Sequence, residues 1–323
     1  MEKYRVGIVG ATGMVGQRFI SLLKDHPWFE VNCVAASARS AGKTYREAVG
    51  ERWAFSWEIP EKVAGMTVVD AADIDEVSKH VDFVFCAVDM KKDEIRALEE
   101  AYAKHEIPVV SNNSACRGIE DVPMVVPEIN ADHLAVIEAQ KKRLGTKNGF
   151  IAVKPNCSIQ SYVPALTPLL DFEPEKVSVC TYQAISGAGK TFKTWPEMVD
   201  NVIPYIGGED EKSENEPLKL WGHVEDGKIV NATLPVISAQ CLRVACSDGH
   251  MAAVSVSFKK KPTIEQIKER WANYETEAQR LELPSAPKPF LQYFEDPSRP
   301  QTRLDRDFQN GFGVSIGRLR EDK

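Results

Sequence analysis

Apolar positions in the first half of the chain fall into short runs separated by amphipathic stretches. Tyr4 to Val9 is a compact apolar run, and Gln17 to Lys24 has the three-and-four spacing of a helix. The pattern then predicts strands at Val31 to Ala36, Met66 to Val69, Val81 to Ala87 and Pro108 to Ser111. Helices are expected between them at Asp73 to Lys79 and Lys91 to Lys104. Strand and helix alternating at this rhythm make a parallel, doubly wound α/β sheet.

The pattern changes after residue 150. A buried run, Ile151 to Val153, is halted by Lys154-Pro155, and a helix is expected from Ser158 to Leu170. Strands at Val177 to Ala184, Lys228 to Val236, Gln240 to Cys246 and Met251 to Lys259 alternate with the two-residue period of a sheet covered on one face. With a helix at Thr263 to Ala278 and a last strand at Phe312 to Leu319, they predict an α+β unit built on a mainly antiparallel sheet. Pro284 to Pro300 reads as an irregular surface connection, and GGEDEKSENEPLKLWG as an acidic, largely solvated loop. The expected division is 1–155 and 156–323, with the extreme C-terminus packing back towards the first domain.

Composition sharpens this outline. A chain of 323 residues, 43% of them hydrophobic, has material for two cores. A net charge of -7 without basic blocks argues against nucleic acid or an anionic membrane as partner. No apolar run approaches the roughly 20 residues that span a bilayer, and the N-terminus lacks the regions of a signal peptide. The seven cysteines include no CxxC pair, which suits a reducing compartment and gives no metal site. A soluble cytoplasmic protein is expected.

Three stretches carry chemistry. The first strand runs into Gly10-Ala-Thr-Gly-Met-Val-Gly16 and then a helix, the context in which glycines let backbone approach a pyrophosphate at a helix N-terminus. Gly10, Thr12, Gly13, Met14 and Val15 are the candidate cofactor contacts. The second strand ends in Ser37-Ala-Arg39-Ser40-Ala-Gly-Lys43, where an NAD-specific fold would place Asp or Glu for the ribose hydroxyl. Hydroxyls and cations at Ser37, Arg39 and Ser40 suit a 2′-phosphate, so NADP is the expected cofactor. A third stretch, after the fifth strand, holds Arg117, either a cation for a substrate anion or a structural partner of Glu120 or Asp121.

Cys157 falls at the expected strand-to-helix corner, where free N–H groups favour thiolate. A second glycine-rich turn, Ser186-Gly187-Ala-Gly189, follows Gln183, and His250 stands at a Gly-His corner seven residues after Arg243. A nicotinamide domain joined to a cysteine nucleophile and a histidine suggests acyl-thioester and aldehyde chemistry. Among the six histidines, His250 has the setting of an acid/base.

The ordered set GATGMVG, SARSAGK, PNCSIQ, TYQAISGAGK, NVIPYIGGEDEKSENEPLKLWG and the Arg243 to His250 spacing resembles the aspartate-β-semialdehyde dehydrogenases of the archaeal and fungal branch, over nearly the whole chain. The resemblance implies a Rossmann-type NADP domain and a catalytic and dimerisation domain. It also implies reversible NADPH-dependent reductive dephosphorylation of L-aspartyl-4-phosphate to the semialdehyde, towards lysine, threonine and methionine. Cys157 falls on the family's nucleophile, in its Asn156-Cys157 setting, His250 on the acid/base and Gln183 on the residue orienting the acyl group. Arg243 and Glu216 fall on the residues for the substrate carboxylate and amine, with Glu209, Glu211 and Glu214 as other acids of that loop. Arg117 and Lys219 fall on the phosphate binders, and Ser186, Gly187 and Gly189 on cofactor contacts. A homodimer or homotetramer is implied. Two features depart from the family: no helix follows the last strand, and Asn113-Ser-Ala-Cys-Arg117 mixes branches. Malonyl-CoA reductase, N-acetyl-γ-glutamyl-phosphate reductase and a non-catalytic NADP-binding homologue are the rival readings.

Overall fold

In the computed structural model, residues 2–322 are described. The chain forms two compact units. One takes in the chain up to Val125, Asp132–Lys154 and Val224–Ile229; the other takes in Val126–Ala131, Pro155–His223 and the chain from Val230 onward.

The first unit is a six-stranded sheet. Its strands are β1 (Tyr4–Val9), β2 (Phe29–Ala36), β3 (Val69–Asp70), β4 (Phe83–Cys86), β5 (Val109–Ser111) and β6 (Ile151–Val153), in the order β3-β2-β1-β4-β5-β6. Every pairing is parallel. Helices α1 (Met14–Leu23), α2 (Lys92–Lys104) and α3 (Ile137–Leu144) are among its connections. Val6 and Ile8 of β1, Ile20 of α1 and Val34 of β2 are fully buried together, as befits strands covered on both faces. The strand order reverses direction at β1 and β4, so the loops at their carboxyl ends open a crevice.

The second unit holds a four-stranded sheet, β7 (Pro174–Gln183), β8 (Val202–Ile203), β11 (Val236–Val244) and β12 (Met251–Phe258), in the order β12-β7-β11-β8. β7 pairs parallel with β11, and the two outer pairings are antiparallel. Between β8 and β11 come helix α4 (Glu209–Leu220) and the hairpin of β9 (His223–Glu225) and β10 (Lys228–Val230). Helix α5 (Ile264–Ala272) brings Ile267 and Trp271 against Leu169, Phe290 and Leu291. Strands β13 (Leu291–Phe294) and β14 (Val314–Gly317) pair in parallel beside them.

Five expectations need correction. The Ser158 to Leu170 segment is a chain of three short turns, because Pro164 and Pro168 each remove a backbone donor and restart the helix. The run Lys228 to Val236 is β10 and the first residue of β11, separated by Asn231-Ala-Thr-Leu-Pro235. The helix expected to Ala278 stops at Ala272, and β13 lies inside the stretch read as irregular. The acidic loop is helix α4, whose Glu209, Ser213, Pro217 and Leu220 share a buried face. Pro217 is tolerated there because the carbonyl of Ser213, which an amide at 217 would have used, accepts the Tyr162 hydroxyl at 2.8 Å.

Candidate active site

Among the seven cysteines Cys157 alone is exposed. Burial pushes the thiol of Cys33 up to about 11, and those of Cys86 and Cys116 higher still. Cys157 follows Asn156, a buried residue whose side chain holds the turn. Asn156 Oδ1 accepts from the Ser158 backbone at 2.8 Å and from the Ser158 hydroxyl at 2.6 Å. This Asx turn fixes the residue between its two ends. The helix that follows is only a four-residue 3₁₀ turn, so its dipole contributes little, and the neighbouring side chains must supply the electrostatics.

They come from the mixed sheet. The register sets Arg243 of β11 beside Gln183 of β7, while Met251 of β12 pairs with Tyr182. His250 therefore arrives at the carboxyl end of β7, where its Nε2 lies 3.3 Å from Cys157 Sγ and its Nδ1 accepts the Ala184 N–H at 3.0 Å. Arg243 Nη1 donates to the Ala184 carbonyl at 2.7 Å. Burial lowers the Arg243 guanidinium from its ordinary value, while Cys157 and Glu209 pull it upward, which puts both acids within electrostatic reach. Gly187, in the turn after β7, lies against the same pair: a Cβ there would sit 3.0 Å from Arg243 Nη1 and 3.1 Å from His250 Cε1. Ser186 and Gly189 belong to that turn.

Glu209, which the sequence offers only as one of three other acids beside Glu216, completes the cluster. Its carboxylate accepts from both Asn156 Nδ2 contacts at 3.0 and 2.9 Å, from Gln183 Nε2 at 3.2 Å and from Lys212 Nζ at 2.7 Å. Burial would raise this carboxyl, but the Lys212, Asn156 and Gln183 hydrogen bonds outweigh it and hold the group below its ordinary value. Glu216, about two turns further along α4, accepts the Asn156 backbone N–H. Lys219 is buried on that helix. The signal for Glu209 was the helical spacing of 209, 213, 217 and 220 within an acidic run.

The first unit carries a separate cradle. Gly10 has φ +89°, and a Cβ there would lie 2.3 Å from the Ala87 carbonyl, so only glycine closes the turn. Gly10 and Ala11 donate to the Ala35 carbonyl, and the Tyr45 hydroxyl donates to Ala11 O at 2.8 Å, pinning the loop. Helix α1 follows Gly13 at its N-cap, without a side-chain cap and without an acid in its first turn, leaving its positive end for an anion. Thr12 and Met14 are half-buried and Val15 exposed beside it. At the end of β2, Ser37 and Arg39 are exposed and Ser40 is buried. No carboxylate stands among them, so these residues fit a phosphorylated ribose. Arg117 Nη2 donates to the Asn112 carbonyl at 3.1 Å, while Glu120 pairs with Lys228 and Asp121 with Arg143. Among the described residues no group of acids, histidines and cysteines is placed to hold a metal. No helix of the described residues is long and apolar enough to cross a membrane.

Residues 5–137 match the model of the semialdehyde dehydrogenase NAD binding domain, and residues 166–323 that of the semialdehyde dehydrogenase dimerisation domain. The chain belongs to the semialdehyde dehydrogenase family. It is 43% identical to the aspartate-semialdehyde dehydrogenase of Archaeoglobus fulgidus over 99% of this chain and 90% of that one. Against the Schizosaccharomyces pombe aspartate-semialdehyde dehydrogenase the identity is 44%, covering 98% and 89%. The crystal structure of the Candida albicans aspartate-semialdehyde dehydrogenase with NADP superposes with a TM-score of 0.89 at 37% identity, covering 100% of this chain and 90% of that one. In semialdehyde dehydrogenase terms, Gln183, Glu209, Arg243 and His250 fall within the dimerisation-domain match, and Cys157 between the two matches.

Proposed function

We propose that this semialdehyde dehydrogenase interconverts L-aspartyl-4-phosphate and L-aspartate 4-semialdehyde with NADP(H). The observation that carries the reading is the approach of His250 Nε2 to Cys157 Sγ at 3.3 Å, in a chain more than 40% identical along nearly its whole length to aspartate-semialdehyde dehydrogenases. The nicotinamide cofactor supplies or accepts the hydride when bound. Cys157 supplies sulfur: in the oxidative direction its thiolate bonds the aldehyde carbon, the product of hydride loss is a thioester, and phosphate oxygen displaces the sulfur. His250 handles the proton at Nε2.

Substrate contacts follow from charge. Arg243, buried and presenting a planar fork, suits the α-carboxylate. Glu209 rather than Glu216 is assigned the ammonium group, since it lies in the Gln183 network. Gln183 and Asn156 orient the acyl group and the nucleophile. Lys212, paired with Glu209, and Arg117 are assigned the phosphate, a role first given to Arg117 and Lys219. Gly10, Thr12, Gly13, Met14, Val15, Ser37, Arg39 and Ser40 are assigned to NADP, and Ser186, Gly187 and Gly189 to its nicotinamide end. Arg39 is the donor expected to distinguish NADP from NAD. The domain division at residue 155 stays part of this reading.

A homodimer through the open face of the β12-β7-β11-β8 sheet is proposed, supported by the dimerisation-domain match. Cys180, Tyr182, Leu242 and Ala253 line that face by alternation and register. No disulfide joins any of the seven cysteines among the described residues, which supports a reducing, cytoplasmic setting. The decisive assay supplies aspartate semialdehyde, phosphate and NADP to the purified chain and follows reduced nicotinamide by its absorbance. Phosphate-dependent formation is expected; no signal from folded protein, or turnover of malonyl-CoA instead, sinks the reading. The malonyl-CoA and non-catalytic alternatives draw no support from these relatives.

A further inference from the structure

His250 uses its two ring nitrogens differently. The Ala184 N–H points at Nδ1 at 3.0 Å, while Nε2 faces Cys157 Sγ at 3.3 Å. A donor aimed at Nδ1 requires a lone pair there, so the neutral ring carries its proton on Nε2. The surroundings reinforce this arrangement. Ile185 N–H donates to the Cys246 carbonyl and Ser186 N–H to the Ser247 carbonyl, so three successive amides tie the turn after β7 to the segment that delivers His250. The Ala184 carbonyl meanwhile accepts Arg243 Nη1 at 2.7 Å. One residue thus holds the histidine by its N–H and the arginine by its C=O.

We propose that Ala184 is a positioning residue for the reaction: its amide selects the Nε2–H tautomer of neutral His250, and its carbonyl ties that choice to Arg243. This rests on the reading of Cys157 and His250 as the reacting pair. In that tautomer Nε2 has no lone pair to receive the thiol proton. The Cys157 S–H bond therefore breaks with its proton passing to water, which reaches the exposed sulfur, and the electron pair stays on the thiolate. Nε2–H then donates to sulfur and, once carbon is bound, to the oxygen formed on it. The ring enters the cycle as a hydrogen-bond donor that steadies the sulfur and then the oxyanion while keeping its own proton.

The test is nitrogen-15 NMR of the full chain labelled at histidine, with the His250 signals identified by their loss in His250→Asn. At a pH above the ring's titration, a protonated signal at Nε2 and an unprotonated one at Nδ1 are expected; a protonated Nδ1 overturns the proposal. Replacing the amide between Gln183 and Ala184 by an ester removes the N–H while leaving the Ala184 carbonyl for Arg243. It should mix the tautomers and lower kcat about tenfold, with KM for the semialdehyde changed less than about twofold. An unchanged tautomer with unchanged kcat also overturns it. The nitrogen signals need no substrate, so the expected tautomer without turnover counts against the proposed reaction alone, and turnover with Nδ1 protonated counts against Ala184 alone.

Discussion

His250 Nε2 lies 3.3 Å from Cys157 Sγ across 93 residues of sequence. Two independent anchors produce this approach: the Asn156 side chain, which fixes the turn carrying the sulfur, and the Ala184 amide, which holds the far side of the ring. Residues held from behind in this way keep reacting groups in place without substrate.

Replacing the sulfur should remove the reaction and little else. Cys157→Ala is expected to abolish turnover while leaving NADP affinity, measured by nucleotide fluorescence titration, within about twofold. His250→Asn should retain the thiolate but slow turnover by about 10²- to 10⁴-fold. Turnover by Cys157→Ala near the parent rate would refute the nucleophile assignment.

Cofactor choice should rest on the end of β2. Arg39 is exposed beside Ser37 and buried Ser40, and the loop from Ser37 to Lys43 contains no carboxylate. Arg39→Ala should weaken NADP by about tenfold or more while leaving NAD nearly unchanged, because only NADP offers the 2′-phosphate. Equal losses for the two nucleotides would remove Arg39 from that contact.

The parallel sheet was legible because its strands are buried on both faces and separated by periodic helices. The Gly10 turn was legible too, since backbone approach leaves a glycine signature. Cys157, Gln183, Arg243 and His250 stood out through chemistry and family resemblance, but their convergence depends on the β7, β11 and β12 register, which no local pattern encodes. Glu209 was hidden in an acidic run whose charge reads as solvated. Its burial is made affordable only by donors from Asn156, Gln183 and Lys212, two of which are distant in sequence. Pro217 disguised the helix for a similar reason: the hydroxyl that takes over the Ser213 carbonyl belongs to Tyr162.

Gly187 offers a test of steric tolerance at the site. Its Cβ would stand 3.0 Å from Arg243 Nη1 and 3.1 Å from His250 Cε1, closer than either group accepts without shifting. Gly187→Ala should therefore leave the thermal midpoint nearly unchanged, since the alanine meets side chains at the mouth of the site rather than the core. A displacement of the reacting groups by a few tenths of an ångström should nevertheless lower kcat by about 10- to 100-fold. Parent-level kcat in a folded Gly187→Ala protein would show that the ring and guanidinium are free to move without cost.

Glu209 predicts a pH dependence of stability whose sign can be worked out. Its folded carboxyl is held below the ordinary value of 4.5, because the Lys212, Asn156 and Gln183 hydrogen bonds outweigh the raising effect of burial. A group depressed on folding stabilises the protein fully above its unfolded value and loses that contribution as pH falls through the folded one. Glu209→Gln cannot ionise and weakens the pairing with Lys212, so it should destabilise the neutral protein by about 1–3 kcal/mol. Denaturant melts at a series of pH values should show the parent and Glu209→Gln well separated at neutral pH, with the gap closing only below about pH 4.5. A gap that persists unchanged into acid would mean that the charge on Glu209 contributes nothing to the fold, and that its neighbours are satisfied equally well by an amide.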